Sequence, residues 1–326
     1  MTVLVTGAAG FIGMHVCEAL LARGDRVCGI DNLNDYYDPA LKQARLKRLQ
    51  GRNGFVFEKV DIGEQASLKK ALEDVHDIDR IVHLAAQAGV RYSLVNPHAY
   101  VQSNVVGHLN ILEYARHRAG MKHLVYASSS SVYGGNTKLP FSIEDRVDNP
   151  VSLYAATKKS DELISHAYAH LYDIPMTGLR FFTVYGPWGR PDMSAYIFAE
   201  KIMAGEPIPV FNNGDMQRDF TYIDDIVAGV IASLDNPPER TEEAAAHRVF
   251  NLGNNRPEAL LDMIHTLEKA LGRKAEIDFK PMQPGDVKAT YADIDASRLE
   301  LGYEPKTSIE VGLQKFADWY KGYSGA

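Results

Sequence analysis

Short apolar runs alternate with stretches of helical periodicity through the first half of the chain. Six of the runs combine β-branched or aromatic residues with flanking turn or polar residues, and we predict them to be strands: residues 3–6, 26–30, 55–59, 80–84, 123–128 and 176–182. Strands that alternate with helices are typical of βαβ units. The pattern therefore predicts an α/β fold built on a doubly wound parallel sheet.

The pattern changes at Gly186, where glycine and proline residues become frequent and regular alternation is lost. We predict a first domain over residues 1–185 and a smaller C-terminal lobe over residues 186–326. Residues 224–234 have helical periodicity and residues 249–252 form a strand-like run. Segments near residues 224–253 are therefore expected to return to the first domain.

Composition and charge narrow the class of protein. The 326 residues are 45% hydrophobic and 24% charged, with a net charge of −7 and a pI near 5.9. Such a balance disfavours nucleic acid as a partner, because no overall positive field is available to attract it. The basic residues Lys42, Arg45, Lys47 and Arg48 are spaced as on the solvated face of a helix, and we assign them no function.

Cysteine usage and hydropathy indicate the cellular compartment in which the protein resides. Cys17 and Cys28 have no paired spacing, which supports neither a disulfide framework nor a metal site and fits a reducing cytoplasm. No apolar run approaches the roughly 20 residues needed to span a bilayer, so we expect no membrane insertion.

A glycine-rich turn follows the first predicted strand and opens a helix. It contains Gly7, Gly10 and Gly13, with Phe11 and Ile12 between the last two. In this place, glycines allow a tight turn and the close approach of a pyrophosphate to the amides of a helix N-terminus. A glycine turn without a ligand is the alternative, but the placement predicts a Rossmann-type dinucleotide site.

Residues after the next strands extend this site. Asp31, with Asn32 beside it, follows the second strand, where a carboxylate can accept hydrogen bonds from the adenosine ribose and repel a 2′-phosphate. NAD is therefore favoured over NADP. Asp61 and Ile62 could hold the adenine edge, although an aspartate capping the next helix is an open alternative. Ala85 and Ala86 offer small side chains where a dinucleotide could pass.

Tyr154 and Lys158 place a phenol and an ammonium group four residues apart, on one side of a predicted helix. They follow a strand that ends in four serines, residues 128–131. A phenol with a pKa near 10 is a poor base at neutral pH, but a lysine cation and an oxidised nicotinamide favour the phenolate. A serine hydroxyl can orient the substrate alcohol. The pattern predicts oxidation and reduction of an alcohol.

Together these motifs resemble the extended short-chain dehydrogenase/reductase family, the NAD-dependent epimerases and dehydratases that work on nucleotide sugars. Later segments are also similar to the family: RDFTYIDD at residues 218–225, NLG at 251–253 and PGDV at 284–287. The resemblance implies that Tyr154, Lys158 and Ser129 are catalytic. It also implies a UDP-sugar substrate and a homodimer formed through helices near residues 104–118 and 156–172.

The subgroup that the chain most resembles epimerises UDP-glucuronate at C4 through a 4-keto sugar. The resemblance rests on NDYY at residues 34–37 and RFFTVYGPWGRPDM at residues 180–193. Related dehydratases carry an Asp-Glu pair where Ser130 and Ser131 stand. A neutral-sugar 4-epimerase, a UDP-glucuronate decarboxylase and a non-catalytic NAD-sensing protein are the alternatives.

The same resemblance implies a set of substrate contacts. They are Arg91, Ser129, Ser130, Thr183, Arg190, Phe211, Arg218 and Asp286. Arg218 and Asp286 fall at UDP-binding positions, and Phe211 could contact the uracil ring. Arg91 and Thr183 stand where galactose epimerases usually carry glycine and asparagine, which points to an acidic sugar. Each arginine could instead form a surface ion pair.

Overall fold

The computed structural model describes residues 1–75, 77–282 and 287–325. Its strands are β1 (Thr2–Thr6), β2 (Arg26–Asp31), β3 (Phe55–Lys59), β4 (Arg80–His83), β5 (His123–Ser129), β6 (Met176–Phe181), β7 (Thr183–Tyr185), β8 (Ile208–Val210), β9 (Gln217–Tyr222), β10 (His247–Leu252), β11 (Pro257–Ala259) and β12 (Ile277–Phe279).

The α-helices of the described residues are α1 (Phe11–Ala22), α2 (Pro39–Leu49), α3 (Gln65–Ala71), α4 (Tyr92–Val95), α5 (Pro97–Tyr100), α6 (Gly107–Arg116), α7 (Leu153–Tyr172), α8 (Ser194–Ala204), α9 (Ile223–Asp235), α10 (Leu260–Leu271), α11 (Asp295–Leu301) and α12 (Ile309–Ser324). A π-helical segment (Val101–Val106) precedes α6, and 3₁₀ turns occur at Ser130–Tyr133 and Phe211–Gly214. No described helix is both long enough and apolar enough to cross a membrane.

Seven described strands form one parallel sheet in the order β10-β6-β5-β4-β1-β2-β3. The six predicted strands are all present, and the predicted parallel α/β sheet is confirmed. Alternating residues of β1 enter different cores: Val3 and Val5 pack with α1 and α9, whereas Leu4 packs with α3 and α6. Both faces of the sheet are therefore covered, as parallel sheets require.

The strand order reverses between β1 and β4, so the crevice for a ligand is expected outside the carboxyl ends of these two strands. β10 lies at the edge of the same sheet, and α9 packs against α1. The sixth predicted strand ends one residue early, at Phe181, and the chain then enters a second sheet through β7.

Residues beyond Gly186 are more regular than their sequence pattern indicates. β7, β9 and β11 form a three-stranded sheet, and β8 pairs with β12. Helices α8, α10 and α12 pack beside these strands. The frequent glycines and prolines separate short elements, which hides their periodicity in the sequence. The division into residues 1–185 and 186–326 stays a prediction.

Candidate active site

A cleft with a cavity volume of about 440 Å³ lies at the carboxyl ends of the parallel strands. It brings together most of the residues predicted from the sequence. Those that line it are Gly7, Gly10, Phe11, Ile12, Gly13, Asp31, Asn32, Asp61, Ile62, Ala85, Ala86, Ser129, Ser130, Tyr154, Lys158, Thr183, Arg190 and Arg218. A large concave site with converging polar groups is the expected form of a ligand-binding cleft.

The glycine turn is built for close approach of the backbone to a ligand. Gly7 has φ +73°, a conformation that side chains disfavour, and a Cβ atom there would lie 2.9 Å from the Ala85 nitrogen. A Cβ atom on Gly13 would lie 2.0 Å from the Gly7 oxygen, so α1 could not pack so tightly with any larger residue. The first amides of α1 therefore face the cleft at the end of β1.

Asp31 ends β2 inside the cleft and is held by backbone donors. Its carboxylate accepts hydrogen bonds from the Leu33 amide at 2.8 Å and the Ala9 amide at 3.2 Å. Asn32 donates from its side chain to Asp61 at 2.9 Å, which joins the loops after β2 and β3. Asp61 also accepts from the Gly63 amide at 2.8 Å. Because Glu64 precedes α3 as its N-cap residue, Asp61 is not the cap of that helix.

Thr6 and His83 organise the opposite wall, where Ala85 and Ala86 lie. The Thr6 hydroxyl accepts hydrogen bonds from the Leu84 and Ala85 amides at 3.1 and 3.0 Å. It also lies 2.7 Å from Nδ1 of His83. Burial, with a smaller contribution from the Lys158 charge, lowers the pKa of His83 to about 3. His83 is thus a neutral core residue and not a base.

Tyr154 and Lys158 project into the cleft from the first turns of α7. The helix begins at Leu153, where the Ser152 hydroxyl caps the Ala155 amide at 3.1 Å. Lys158 Nζ donates to the Ala127 carbonyl at 2.9 Å and to the Asp161 carboxylate at 3.1 Å. These contacts fix the ammonium group at the end of β5, on the same side of the helix as the Tyr154 phenol.

Ser128 and Ser129, which end β5 and begin the run of four serines, have different partners. Ser128 donates to Glu162 at 2.7 Å, which directs its hydroxyl toward α7. Ser129 accepts a hydrogen bond from the Ser131 amide at 3.2 Å, so its own O–H proton remains as a donor. This geometry favours Ser129 over Ser128 as the hydroxyl that orients a substrate.

Away from the glycine turn, the charged side chains among the described lining residues are the cations Lys158, Arg190 and Arg218. Among the described residues that line the cleft, carboxylates occur only at Asp31 and Asp61, near the glycine turn. Arg190 lies in the other part and pairs with Asp192, which also accepts a hydrogen bond from the Tyr36 hydroxyl at 3.0 Å. Burial alone would lower the pKa of Arg190, but the charge and hydrogen bonds of Asp192 raise it. Arg190 is therefore a permanent cation beside Thr183.

Two of the predicted substrate contacts, Arg91 and Phe211, do not line the cleft in the part of the chain that the structure describes. The Arg91 guanidinium stacks on the ring of Phe211, 4.7 Å from its centroid, and neither residue belongs to the described cleft lining. Their roles in substrate binding stay predictions. Asp286 lies outside the described residues. Arg218 and Val287, the residue that follows Asp286 in the sequence, both line the cleft.

Comparisons with known proteins agree with this geometry. The family described as GDP-mannose 4,6 dehydratase matches residues 4–316. UDP-glucuronate 4-epimerase 3 of Arabidopsis thaliana is 52% identical over 332 residues, covering 99% of this chain and 77% of the plant protein. The chain belongs to this family. It is a member of the extended short-chain dehydrogenases/reductases, as the motifs predicted.

Solved structures of family members have the same fold. The UDP-glucuronic acid 4-epimerase of Bacillus cereus, solved with UDP-glucuronic acid and NAD, has a TM-score of 0.89 and 37% identity, covering 99% of this chain and 100% of its own. The UDP-glucose 4-epimerase of Thermotoga maritima, solved with UDP-glucose, has a TM-score of 0.87 and 30% identity, covering 99% and 100%.

The predicted solvated face of α2 is wrong for two of its four basic residues, Lys42 and Arg45, whereas Lys47 and Arg48 are exposed as predicted. Arg45 is fully buried and donates to the Trp188 carbonyl at 2.7 and 3.0 Å, to the Gly189 carbonyl at 2.9 Å and to the Tyr37 hydroxyl at 2.6 Å. Lys42 is also buried and donates to Asn34 at 2.6 Å. The Trp188 and Gly189 carbonyls are distant from Arg45 in sequence, so helical spacing alone could not reveal these contacts.

Asn104 is a second residue that sequence reasoning missed in this family member. It lies buried in the π-helical segment, accepts a hydrogen bond from the Gln87 amide at 2.7 Å and donates to Thr157 at 3.0 Å. It thereby joins the cleft wall after β4 to the start of α7. π-Helical turns often mark functional sites, but no periodicity signals them in a sequence.

Proposed function

We propose that this chain is an NAD-dependent UDP-glucuronate 4-epimerase. The distribution of charge in the cleft carries the proposal: carboxylates lie near the glycine turn, whereas the part beyond Tyr154 presents Thr183, Arg190 and the serines of residues 129–131. A uronate carboxylate requires such cationic and hydroxyl donors. The similarity to UDP-glucuronate 4-epimerases supports the same substrate.

The residues present fit NAD. The glycine turn admits a pyrophosphate to the α1 N-terminus, and the Asp31 carboxylate lies where a ribose diol can donate hydrogen bonds to it. NAD, when bound, accepts a hydride and returns it, so the reaction has no net redox change. Lys158 would hold the nicotinamide ribose through its ammonium group.

The catalytic residues together transfer one proton from the substrate and back to it. Tyr154, as phenolate, takes the proton of the sugar 4-hydroxyl while C4 is oxidised, and Ser129 donates a hydrogen bond that orients that oxygen. The Lys158 cation stabilises the phenolate. After the 4-keto sugar has turned over in the cleft, Tyr154 returns the proton to the oxygen as C4 is reduced on its opposite face.

The residues that line the cleft also disfavour two competing reactions, dehydration and decarboxylation. Dehydration needs an acid–base group near C5 and C6, and the described residues beyond Tyr154 contribute no carboxylate to the cleft lining. Decarboxylation of the 4-keto uronate needs the C5–carboxylate bond to align with the ketone. Arg190 and Thr183, with Arg91, would hold the carboxylate out of this alignment.

We also propose a homodimer that works in the cytoplasm. Supporting the dimer, α7 exposes Leu163 and Leu171, which lie eight residues apart on one face, and the neighbouring α6 exposes Leu109. The exposed apolar side chains would be covered by the same helices of a second copy. The described cysteines, Cys17 and Cys28, are both buried free thiols, which fits a reducing compartment.

Product analysis tests the proposed function. Purified protein is incubated separately with UDP-glucuronate, UDP-glucose and UDP-xylose, and the products are resolved by chromatography. UDP-galacturonate should form from UDP-glucuronate, with slower or no conversion of the neutral sugars. Faster epimerisation of UDP-glucose, or release of UDP-xylose from UDP-glucuronate, would assign the chain to one of the rival activities.

A further inference from the structure

The ion pair between Lys158 and Asp161 lies behind the catalytic tyrosine. Both side chains are on α7, with exposed fractions of 5% and 1%, and Lys158 Nζ lies 3.1 Å from Oδ2 of Asp161. The Ala127 carbonyl accepts a second hydrogen bond from Nζ at 2.9 Å. An ammonium group has three N–H donors, so the third is the one that can reach a ligand in the cleft.

The Asp161 carboxylate is unusual for a buried group. Its Oδ1 atom has no hydrogen-bond partner within residues 1–75, 77–282 and 287–325. Burial raises the pKa of Asp161 to about 6, although Lys158 pulls in the opposite direction. At neutral pH the group is an anion with one charged partner, and burying a charge that is only partly hydrogen-bonded costs free energy. Buried groups with a shifted pKa are often found at functional sites.

The other groups around Asp161 do not balance its charge. His108 of α6 and Tyr126 of β5 lie against it, and burial keeps the pKa of His108 well below and that of Tyr126 well above their usual values, so both are neutral. Glu162, the next residue, is compensated by Arg180 of β6 at 2.8 and 2.9 Å. His83 of β4 is also neutral. Asp161 therefore acts on Lys158 more than on any other described group.

We infer that Asp161 is a positioning residue: it holds the Lys158 ammonium at the end of β5 and sets the net charge that Tyr154 experiences. This inference rests on the proposed function, because it assigns how the catalytic pair is tuned. An anion near two titrating groups raises the pKa of both. Removing the anion should therefore stabilise the phenolate form of Tyr154 and destabilise the ammonium form of Lys158 together.

The test is the pH–rate profile of Asp161→Asn, which keeps the shape of the side chain and removes its charge. The acid limb of the bell reports the tyrosine and the basic limb reports the lysine. Both limbs should move to lower pH by about half a unit or more, as expected for loss of a unit charge at close range. Asp161→Glu, which keeps the charge, should leave the limbs near those of the wild type.

If Asp161→Asn has a lower maximal rate but both limbs of its pH–rate profile stay at the wild-type pH, Asp161 has only a structural role and the inference is overturned. If Asp161→Asn does not fold, Asp161→Ser must produce the same shift in both limbs. Ultraviolet titration of the Tyr154 phenolate, taken as the difference between each protein and its Tyr154→Phe counterpart, reads the same pKa without turnover. It therefore separates failure of this inference from failure of the proposed epimerisation.

Discussion

At the scale of single residues, the cleft separates two tasks. Asp31 lies at the end of β2, near the glycine turn, and Arg190 lies in the other part of the cleft with Asp192 as its partner. We propose that they face the adenosine ribose and the sugar carboxylate, respectively. Each is a charged group held by several hydrogen bonds, so each can discriminate between ligands by charge. The two residues therefore carry separate predictions for cofactor choice and for the fate of the sugar carboxylate.

Asp31 should set the preference for NAD over NADP. Protein freed of cofactor is expected to regain activity at least about tenfold better with NAD⁺ than with NADP⁺, because a 2′-phosphate would face the carboxylate. Asp31→Asn, which can still accept hydrogen bonds, should narrow the difference. Lys42, whose Nζ lies 4.0 Å from Asp31, partly offsets the repulsion of the 2′-phosphate. Lys42→Met should therefore widen the difference in reactivation between NAD⁺ and NADP⁺. Equal reactivation of the wild type by both cofactors would contradict the assignment.

Arg190 should control the carboxylate of the 4-keto uronate. Its charge-assisted hydrogen bonds contribute about 1.5 to 3 kcal/mol, so Arg190→Ala should lower uronate turnover by about ten- to a hundredfold. A detectable fraction of product should then have lost carbon dioxide. Release of a UDP-4-keto-pentose would leave the cofactor reduced and absorbing, whereas a UDP-pentose would form by return of the hydride, which reoxidises the cofactor. Arg91→Ala should show a weaker effect of the same kind.

Asp192→Asn is the matched control, since it weakens the ion pair but keeps the guanidinium in the cleft. It should retain the wild-type product distribution. Unchanged epimerisation by Arg190→Ala, with neither pentose nor reduced cofactor, would show that the arginine does not govern the carboxylate.

At the scale of elements, α2 connects the cofactor and sugar parts of the cleft. Arg45 binds the carbonyls of Trp188 and Gly189, directly before Arg190. Trp188 has φ +64°, which is rare for a bulky residue and costs free energy. The hydrogen bonds from Arg45 stabilise that conformation, so the segment that carries Arg190 depends on α2 for its position.

Arg45→Met should lower both stability and apparent substrate affinity. Several buried carbonyls would lose their donors, at about 1 to 3 kcal/mol each, so the free energy of unfolding should fall by several kcal/mol. Arg45→Lys should recover part of this loss, and the KM for UDP-glucuronate should rise in both variants.

Arg48→Met is the control for the same helix. Arg48 lies over the Trp188 ring and pairs with Glu18, but its side chain is 43% exposed, so its removal should cost less than about 1 kcal/mol. Chemical denaturation and steady-state kinetics measure both effects. Equal losses in the Arg45 and Arg48 variants would contradict the special role of Arg45.

The strands and the catalytic helix could be predicted because their signals are local. β1 is a short, wholly buried run that leads directly into the glycine turn, and Tyr154 and Lys158 are one helical turn apart. The burial of Arg45 was not predictable, because the Trp188 and Gly189 carbonyls that accept its hydrogen bonds lie more than 140 positions away. The stacking of Arg91 on Phe211 and the break between β6 and β7 likewise depend on tertiary packing.

At the scale of the whole molecule, the exposed apolar face of α7 indicates a surface that another protein chain covers. Leu163 and Leu171 are 60% and 63% exposed, which is unfavourable for side chains of this size in water. The proposed homodimer would bury them against their counterparts. It would also stiffen the helix that carries Tyr154 and Lys158.

Leu163→Arg combined with Leu171→Arg should dissociate the dimer, because like charges would meet across the two-fold axis. Light scattering should give twice the 36.2 kDa chain mass for the wild type and the single-chain mass for the variant. Leu299→Arg is the control, since that leucine is 87% exposed on α11, away from this face. A monomeric wild type at micromolar concentration would count against the dimer.

The most direct test of the central account is the fate of the hydrogen at C4. UDP-glucuronate carrying deuterium at that carbon is incubated with the purified protein in ordinary water, and the product is identified by mass spectrometry and NMR. The account predicts UDP-galacturonate that keeps the deuterium at C4, because the hydride removed is the hydride returned. Loss of the deuterium to solvent, or a UDP-pentose as the main product, would contradict it.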